Sequence, residues 1–353
     1  MWSTRRGVSI IEIAIIILVL VILIGILLPA LGRSGGSRLT ASQSNLRQFA
    51  IGNANFAAYN NDLIISYDAP GLGEPLGEEP IDGVHQAQLR QAEILRRTTD
   101  RVDGNNAIRV DQTHIAQNRY LHIPLIEMMT GQQPEPVAGS PLDIHHQDFQ
   151  EYIDREDYDF LPGGKVSTSF GSWTREQAVN RWTYASSYMS TVSAWSPDEP
   201  SAGTNRLPVR PSEDGMTLVV DREHAVATRS MNDVAFTSSK ALFFEEFDFS
   251  DNGAHKRTDG MGLHSSDPNA RVNVQFFDAS VRRITTSEAT PGWDPAAPCD
   301  QDRVSTAAYR PIDTRYFPAA SESLGPQPYR WTRGGLKGID VGGNAIDTSS
   351  WCD

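Results

Sequence analysis

Cysteine is scarce in this 353-residue chain: only Cys299 and Cys352 occur, both near the C-terminal end. So few exclude a disulfide-built scaffold and any Cys-x-x-Cys zinc or redox pair. Basic charge is short as well, with 31 Lys and Arg against 44 Asp and Glu and a formal net charge of −13. Affinity for nucleic acid comes mostly from Lys and Arg on phosphates, so this balance sets DNA and RNA aside as partners. Catalytic signatures are missing too. The chain has no His-Glu-x-x-His, no phosphate-binding Gly-Lys-Ser/Thr loop and no dinucleotide fingerprint. It is read as not an enzyme, with no cofactor and no metal, although a carboxylate pair set by three-dimensional spacing would escape such a scan.

What the sequence does have is one long apolar run. Val8 to Leu31 is almost wholly apolar and would span about 36 Å as a helix, against a hydrocarbon core of about 30 Å. Arg5 and Arg6 precede it, and the positive-inside rule keeps them in the cytoplasm and sends the acidic bulk across the membrane. A secretory signal peptide has a shorter apolar stretch, about 7 to 15 residues, closing on a small-x-small site that Leu28-Pro29-Ala30-Leu31-Gly32 matches weakly. Glu12 is out of place in the run. A carboxylate there costs about 2.5 to 3.5 kcal/mol at mid-membrane, so it needs a partner or a position shallow enough to reach water.

Arg5-Arg6-Gly7 followed by Val8-Ser9-Ile10-Ile11-Glu12 and a long aliphatic helix resembles the class III signal of type IV pilins and type II secretion pseudopilins. The resemblance implies cleavage by a prepilin peptidase after Gly7, methylation of the new N-terminus at Val8, and an assembly role for Glu12 at the fifth mature position. Pro29 falls where many pilins have a helix-kinking proline. Cleavage would create a cationic amine at Val8, and a neighbouring helix offset along a filament could set that amine beside Glu12. Pairing the two offsets their desolvation and fixes axial register.

Beyond Pro29, the stretch Gly32-Arg33-Ser34-Gly35-Gly36-Ser37 is read as a soft segment that bends or melts easily. A helical pattern then resumes, with Leu39, Leu46, Phe49, Ala50, Phe56 and Ala57 facing a head and Gln43, Asn45, Arg47 and Asn55 facing away. Residues 60–139 read as loop-rich surface insertion, with helices over Gln86 to Thr98 and Ile123 to Thr130. Asp143 to Phe160 reads as a solvated acidic face, in which neither calcium nor a metal on His145 and His146 is expected. Thr174 to Gln177 fits a capping box, and Trp173, Trp182, Tyr184, Tyr188 and Trp195 read as core in preference to a sugar-stacking platform.

Strand signals come late, at Thr217 to Val220, Ala241 to Phe249, Arg271 to Phe277 and Ser280 to Thr285. Val272, Val274 and Phe276 alternate with Asn273 and Gln275, the period of a half-buried strand, and Asp278-Ala279 reads as a tight turn into the next strand. His264 with Asn273 to Val281 is similar to the C-terminal His…Asp-Gly-Ser-Val motif of a planctomycete-type group of prepilin-like proteins, with Ala279 in place of glycine. Past Thr286 the chain is Pro/Gly-rich. Outside the cytoplasm a Cys299–Cys352 disulfide would close this tail, as some pilins staple theirs, and stabilise by about 4 kcal/mol; two free thiols are the alternative.

The expected fold is α+β: a long N-terminal helix, transmembrane then amphipathic, packed on an antiparallel sheet with large loop insertions. Residues 1–7 form a leader, 8–31 the membrane half of the helix, 32–60 the soft segment and amphipathic half, and 61–353 an extracytoplasmic head with a disulfide-closed tail. The resemblance implies a single-pass inner-membrane protein that moves into a pilus or pseudopilus. Its partners would be the prepilin peptidase, like subunits in a homo-oligomeric filament, an inner-membrane assembly platform and, before assembly, the lipid bilayer. The alternative is a tethered extracytoplasmic domain that binds or hydrolyses a polymer and uses the signal only for targeting.

Overall fold

The computed structural model describes residues 34–69, 76–102, 115–133, 135–143, 184–197, 226–249, 268–292 and 328–344, with short pieces at 72, 107–108, 110, 146, 210–211, 217–218, 308–309 and 323–324. Among these the architecture is α+β, with helices gathered on one face of a four-stranded antiparallel sheet. No helix among the described residues is long and apolar enough to cross a membrane, and the run over 8–31 lies outside them.

Helix α1 runs Ser34–Tyr59. Leu46, Phe49, Ala50, Phe56 and Ala57 are buried, and their three- and four-residue spacing puts them on one helix face. The helix ends where the Asn60 amide donates to the Phe56 carbonyl at 2.8 Å and Asn61 and Asp62 adopt φ of 55° and 60°, a region Asn and Asp tolerate better than most residues. Gly52 sits where α1 crosses the 3₁₀ turn Ile123–Met128; a Cβ there would stand 3.3 Å from Leu125 Cδ1, so its lack of a side chain lets the two elements close.

Gly35 and Gly36, of the segment read as soft, are helical here, and residues 32–33 lie outside the described ones. One expectation for this helix is corrected. Gln43 and Asn45 do not face away: Gln43 Nε2 donates to Asn273 Oδ1 at 3.3 Å and Asn45 Nδ2 to the Gly139 carbonyl at 2.9 Å. The helix is clasped by the 135–143 segment as well as by the sheet, so its buried arc is wider than its apolar stripe.

The reading of 60–139 as surface insertion is also overturned. Ile64, Ile65 and Tyr67 are buried, as are Ile108, Ile115 and Tyr120. Helix α2 (Gly83–Thr99) contributes Val84, Ala87, Ile94 and Leu95 to the same core cluster as Phe49 and Phe56 of α1. Asp82 caps α2 by accepting from the His85 N–H at 2.7 Å, and Arg96 and Arg97 lie in its last turn, where the helix dipole favours cations. A short helix α3 (Ala116–Tyr120) and the 3₁₀ turn complete the layer. Residues 70, 71 and 73–75 of the Pro/Gly cluster lie outside the described ones, and the cluster's turn chemistry says nothing about its apolar flanks.

The sheet has strands β1 (Tyr188–Ser190), β2 (Ala241–Glu245), β3 (Arg271–Phe276) and β4 (Val281–Thr285), in the order β1-β2-β3-β4. β1 was not expected as a strand, and β2 stops at Glu245, short of Phe249. The Thr217–Leu218 pair is a two-residue ladder with Arg210–Pro211, apart from the main sheet. The register between β2 and β3 shifts between Ala241 and Phe243. This irregularity lets Leu242 and Phe243 both join the helix-side core, while Ala241 and Phe244 join the opposite cluster.

The β3–β4 turn closes with the Ala279 N–H on the Phe276 carbonyl at 2.9 Å and the Ser280 N–H on Asp278 Oδ1 at 2.9 Å. Val272, Val274 and Phe276 pack with Met189, Phe244, Tyr329 and Val341. The other face is not solvated: Asn273 and Gln275 are each 1% exposed beneath the helical layer. A period-two pattern of apolar and polar residues here distinguishes a dry face from a polar buried one.

Candidate functional site

The cross-strand row facing α1 holds the most concentrated buried chemistry among the described residues. Tyr188 pairs with Glu245 across β1 and β2, Glu245 stands beside Asn273 one step beyond the Phe244–Val274 pair, and Asn273 pairs with Arg283. Ser42 of α1 lies over this row. Its hydroxyl donates to Glu245 Oε1 at 2.6 Å and lies 3.0 Å from the Tyr188 hydroxyl. Ser140 donates to the same Oε1 at 3.0 Å, and the Asn273 N–H donates to Oε2 at 3.0 Å. Glu245 is 2% exposed. Burial pushes its carboxyl above the usual range, against the hydrogen bonds from Ser42, Asn273 and Ser140 that pull it down.

One helix turn or more beyond the seam, the contact becomes apolar. The Phe49 ring meets Phe243 and Tyr188 edge-on, with centroids 5.0 and 5.5 Å apart. Apolar packing supplies the attraction between helix and sheet. The polar seam supplies specificity, because a one-residue slip of α1 would leave a buried carboxylate without its donors.

Two buried ion clusters brace the sheet from other sides. Arg119 of α3 and Arg330 both reach Glu246, the latter at 3.5 Å, and Arg119 also donates to the Ser186 carbonyl at 3.1 Å. Lys240 Nζ lies 3.0 Å from Asp340 Oδ2, which also accepts from the Ala241 N–H at 2.8 Å, while Thr332 donates to Asp340 Oδ1. Together these tie the 328–344 segment to both ends of β2.

The acidic stretch from Asp143 is corrected at its start. Asp143 is buried, accepting from the Ser187 hydroxyl at 3.1 Å and the His146 N–H at 3.1 Å, so it orders a turn and does not form a solvated face. His146 is a core residue whose Nε2 lies 2.6 Å from the Ala185 carbonyl. Burial lowers its pKa, and burial together with nearby His146 pushes His122 down to about 3, so both rings are neutral at neutral pH. Among the described residues no group of His, Cys, Asp and Glu is set to hold a metal ion.

Gly7, Val8, Glu12 and Pro29 lie outside the described residues, as do Cys299, Cys352, His145, His264, Trp173 and Trp182. The structure gives places to Tyr184, Tyr188 and Trp195, all in the helix-side core. Sequence reasoning missed the seam itself. Its signals are Ser42 and Asn45 one turn apart on the apolar side of α1, and a Glu245-Glu246 pair closing the apolar run Ala241-Leu242-Phe243-Phe244. No protein-family model, no curated protein and no solved structure matches the chain.

Proposed function

We propose that the protein is a structural subunit of a type IV pilus-like or pseudopilus filament, held in the inner membrane by residues 8–31 until it is extracted into the filament. The observation that carries this reading is the chain's order: the signal through Glu12, the apolar run, then a helix docked by one face across an antiparallel sheet. A head packed against the helix through Ser42, Leu46, Phe49, Ala50, Phe56 and Ala57 would transmit axial force through packed side chains and not through a flexible tether. The pilin resemblance, not the fold, names the filament. Gly7 and Val8 are the processing residues, Glu12 the assembly residue, and no catalytic role is assigned to the head.

The test is Glu12→Ala in the native host. Wild-type protein is expected in the sheared surface or pseudopilus fraction, and the variant is expected to stay in the membrane at normal abundance. Retention of both proteins in the membrane, with a head that binds a polymer, would favour the tethered domain instead.

A further inference from the structure

We propose that the Glu245 seam is a pH-sensitive latch that governs docking of the first turns of α1, residues 36–45, on the head: acid closes it and alkali loosens it. The latch follows from what surrounds the carboxylate. Among the described residues the ion pairs are Arg119 and Arg330 with Glu246, Lys240 with Asp340, Arg283 with Asp248, Arg97 with Glu127, Arg229 with Asp233 and His85 with Glu78; none involves Glu245. The groups facing Glu245 are neutral donors, namely Ser42 from α1, Ser140 from the clasping segment, and Asn273 from β3. A buried carboxylate held only by neutral donors is costly when ionised and can regain water if the element covering it lifts.

The seam is also placed to act on one part of the helix. Beyond it α1 is held by Leu46, Phe49, Ala50, Phe56 and Ala57, whereas before it Gly36, Ser37, Arg38 and Thr40 are exposed and Leu39 is half-buried. Half-buried Leu39 packs on the apolar cluster, and Ser42 is the first fully buried attachment of the helix to the head, so loosening it frees the turns before it without melting the core.

The sign is as follows. Burial raises the Glu245 pKa in the docked state, so the docked state holds its proton more tightly than the undocked one. Docking is then strongest below the ordinary carboxylate range and weakens as pH rises through the raised value. Other titratable groups around the helix act differently. Tyr188 is raised by burial, then by Glu245, and stays neutral across the range. Asp143 lies on the clasping segment, bound to Ser187 and to the His146 N–H. Arg283 ends the same cross-strand row but pairs with Asp248 at 3.2 Å. His122, whose ring lies 6.1 Å from that of Phe49, has a lowered pKa and favours the folded state at higher pH, the opposite sense. Arg38 and Arg47 of α1 are exposed. The latch concerns docking of the helix on its own head, so it stands whether or not the protein enters a filament.

The experiment is hydrogen–deuterium exchange on the full chain in detergent at pH 5 and pH 8, corrected for intrinsic exchange rates, comparing residues 36–45 with 49–57. In wild type, protection of 36–45 is expected to fall with pH, by up to about tenfold per unit between the ordinary carboxylate pKa and the raised one and then to level off, while 49–57 changes little. Glu245→Gln, which keeps the shape and cannot ionise, with the Ser42 and Ser140 hydroxyls turning to accept from its amide, is expected to remove that dependence. Ser140→Ala, which deletes one donor to the ionised form, is expected to move the midpoint up. Unchanged protection of 36–45 in wild type, or the same dependence in Glu245→Gln, would overturn the latch.

Discussion

Ala279 adopts a φ of 66° at the β3–β4 turn, in the region where a Cβ costs roughly 1 to 2 kcal/mol and glycine is at ease. Its N–H is already committed to the Phe276 carbonyl, so the turn cannot relax by changing its backbone. Ala279→Gly is therefore expected to raise stability by about 1 kcal/mol, read as a higher urea midpoint with an unchanged m-value. Lys240 makes the opposite kind of demand. It is 0% exposed and its partner Asp340 1%, so Asp340→Ala strands a buried ammonium and is expected to cost about 3 to 5 kcal/mol. Adding Lys240→Met should recover much of that loss in the same denaturation assay, because an apolar pair of similar volume needs no counter-charge.

At the scale of elements, the docking of α1 is the joint on which the molecule turns. Phe49→Ala empties the space between Phe243, Tyr188 and His122 and is expected to cost about 3 to 5 kcal/mol, measured by chemical denaturation. Much of this joint was legible in the sequence. The three- and four-residue spacing from Leu46 to Ala57 marked the buried face of α1, and the alternation through Val272, Val274 and Phe276 marked β3 and its hairpin partner. The seam was not legible, since polar residues at Gln43, Asn45, Asn273 and Gln275 look the same whether water or a second buried layer covers them. The docking of α1 on the sheet and the 135–143 segment over them both decide between those environments, and the hydrophobic pattern of any one element does not contain that information. β1 escaped notice for a related reason: at three residues it is too short to show a period.

At the scale of the whole molecule, a core on each face of the sheet joins distant parts of the chain. The helical layer draws on 42–138 and the sheet on 188–285, while 329–341 serves both cores, with Trp331 and Leu336 on the helix side and Tyr329 and Val341 on the far side. The Lys240–Asp340 and Glu246–Arg330 pairs close that sequence, with α1 at one end and the 328–344 segment at the other clamping the same strand. A head built this way has little freedom to shear between its helix and its sheet beyond Ser42, as the proposed filament subunit would require.

The account rests on processing at the other end of the chain, and the most direct test is the intact mass of the N-terminal peptide from protein recovered from native membranes or sheared surface material. A chain beginning at Val8 and carrying one methyl group on its amine is the expected result, and it would make Glu12 the first residue to change. A chain beginning at Met1, or beyond Ala30, would contradict the account and leave a plain anchor or a secreted protein.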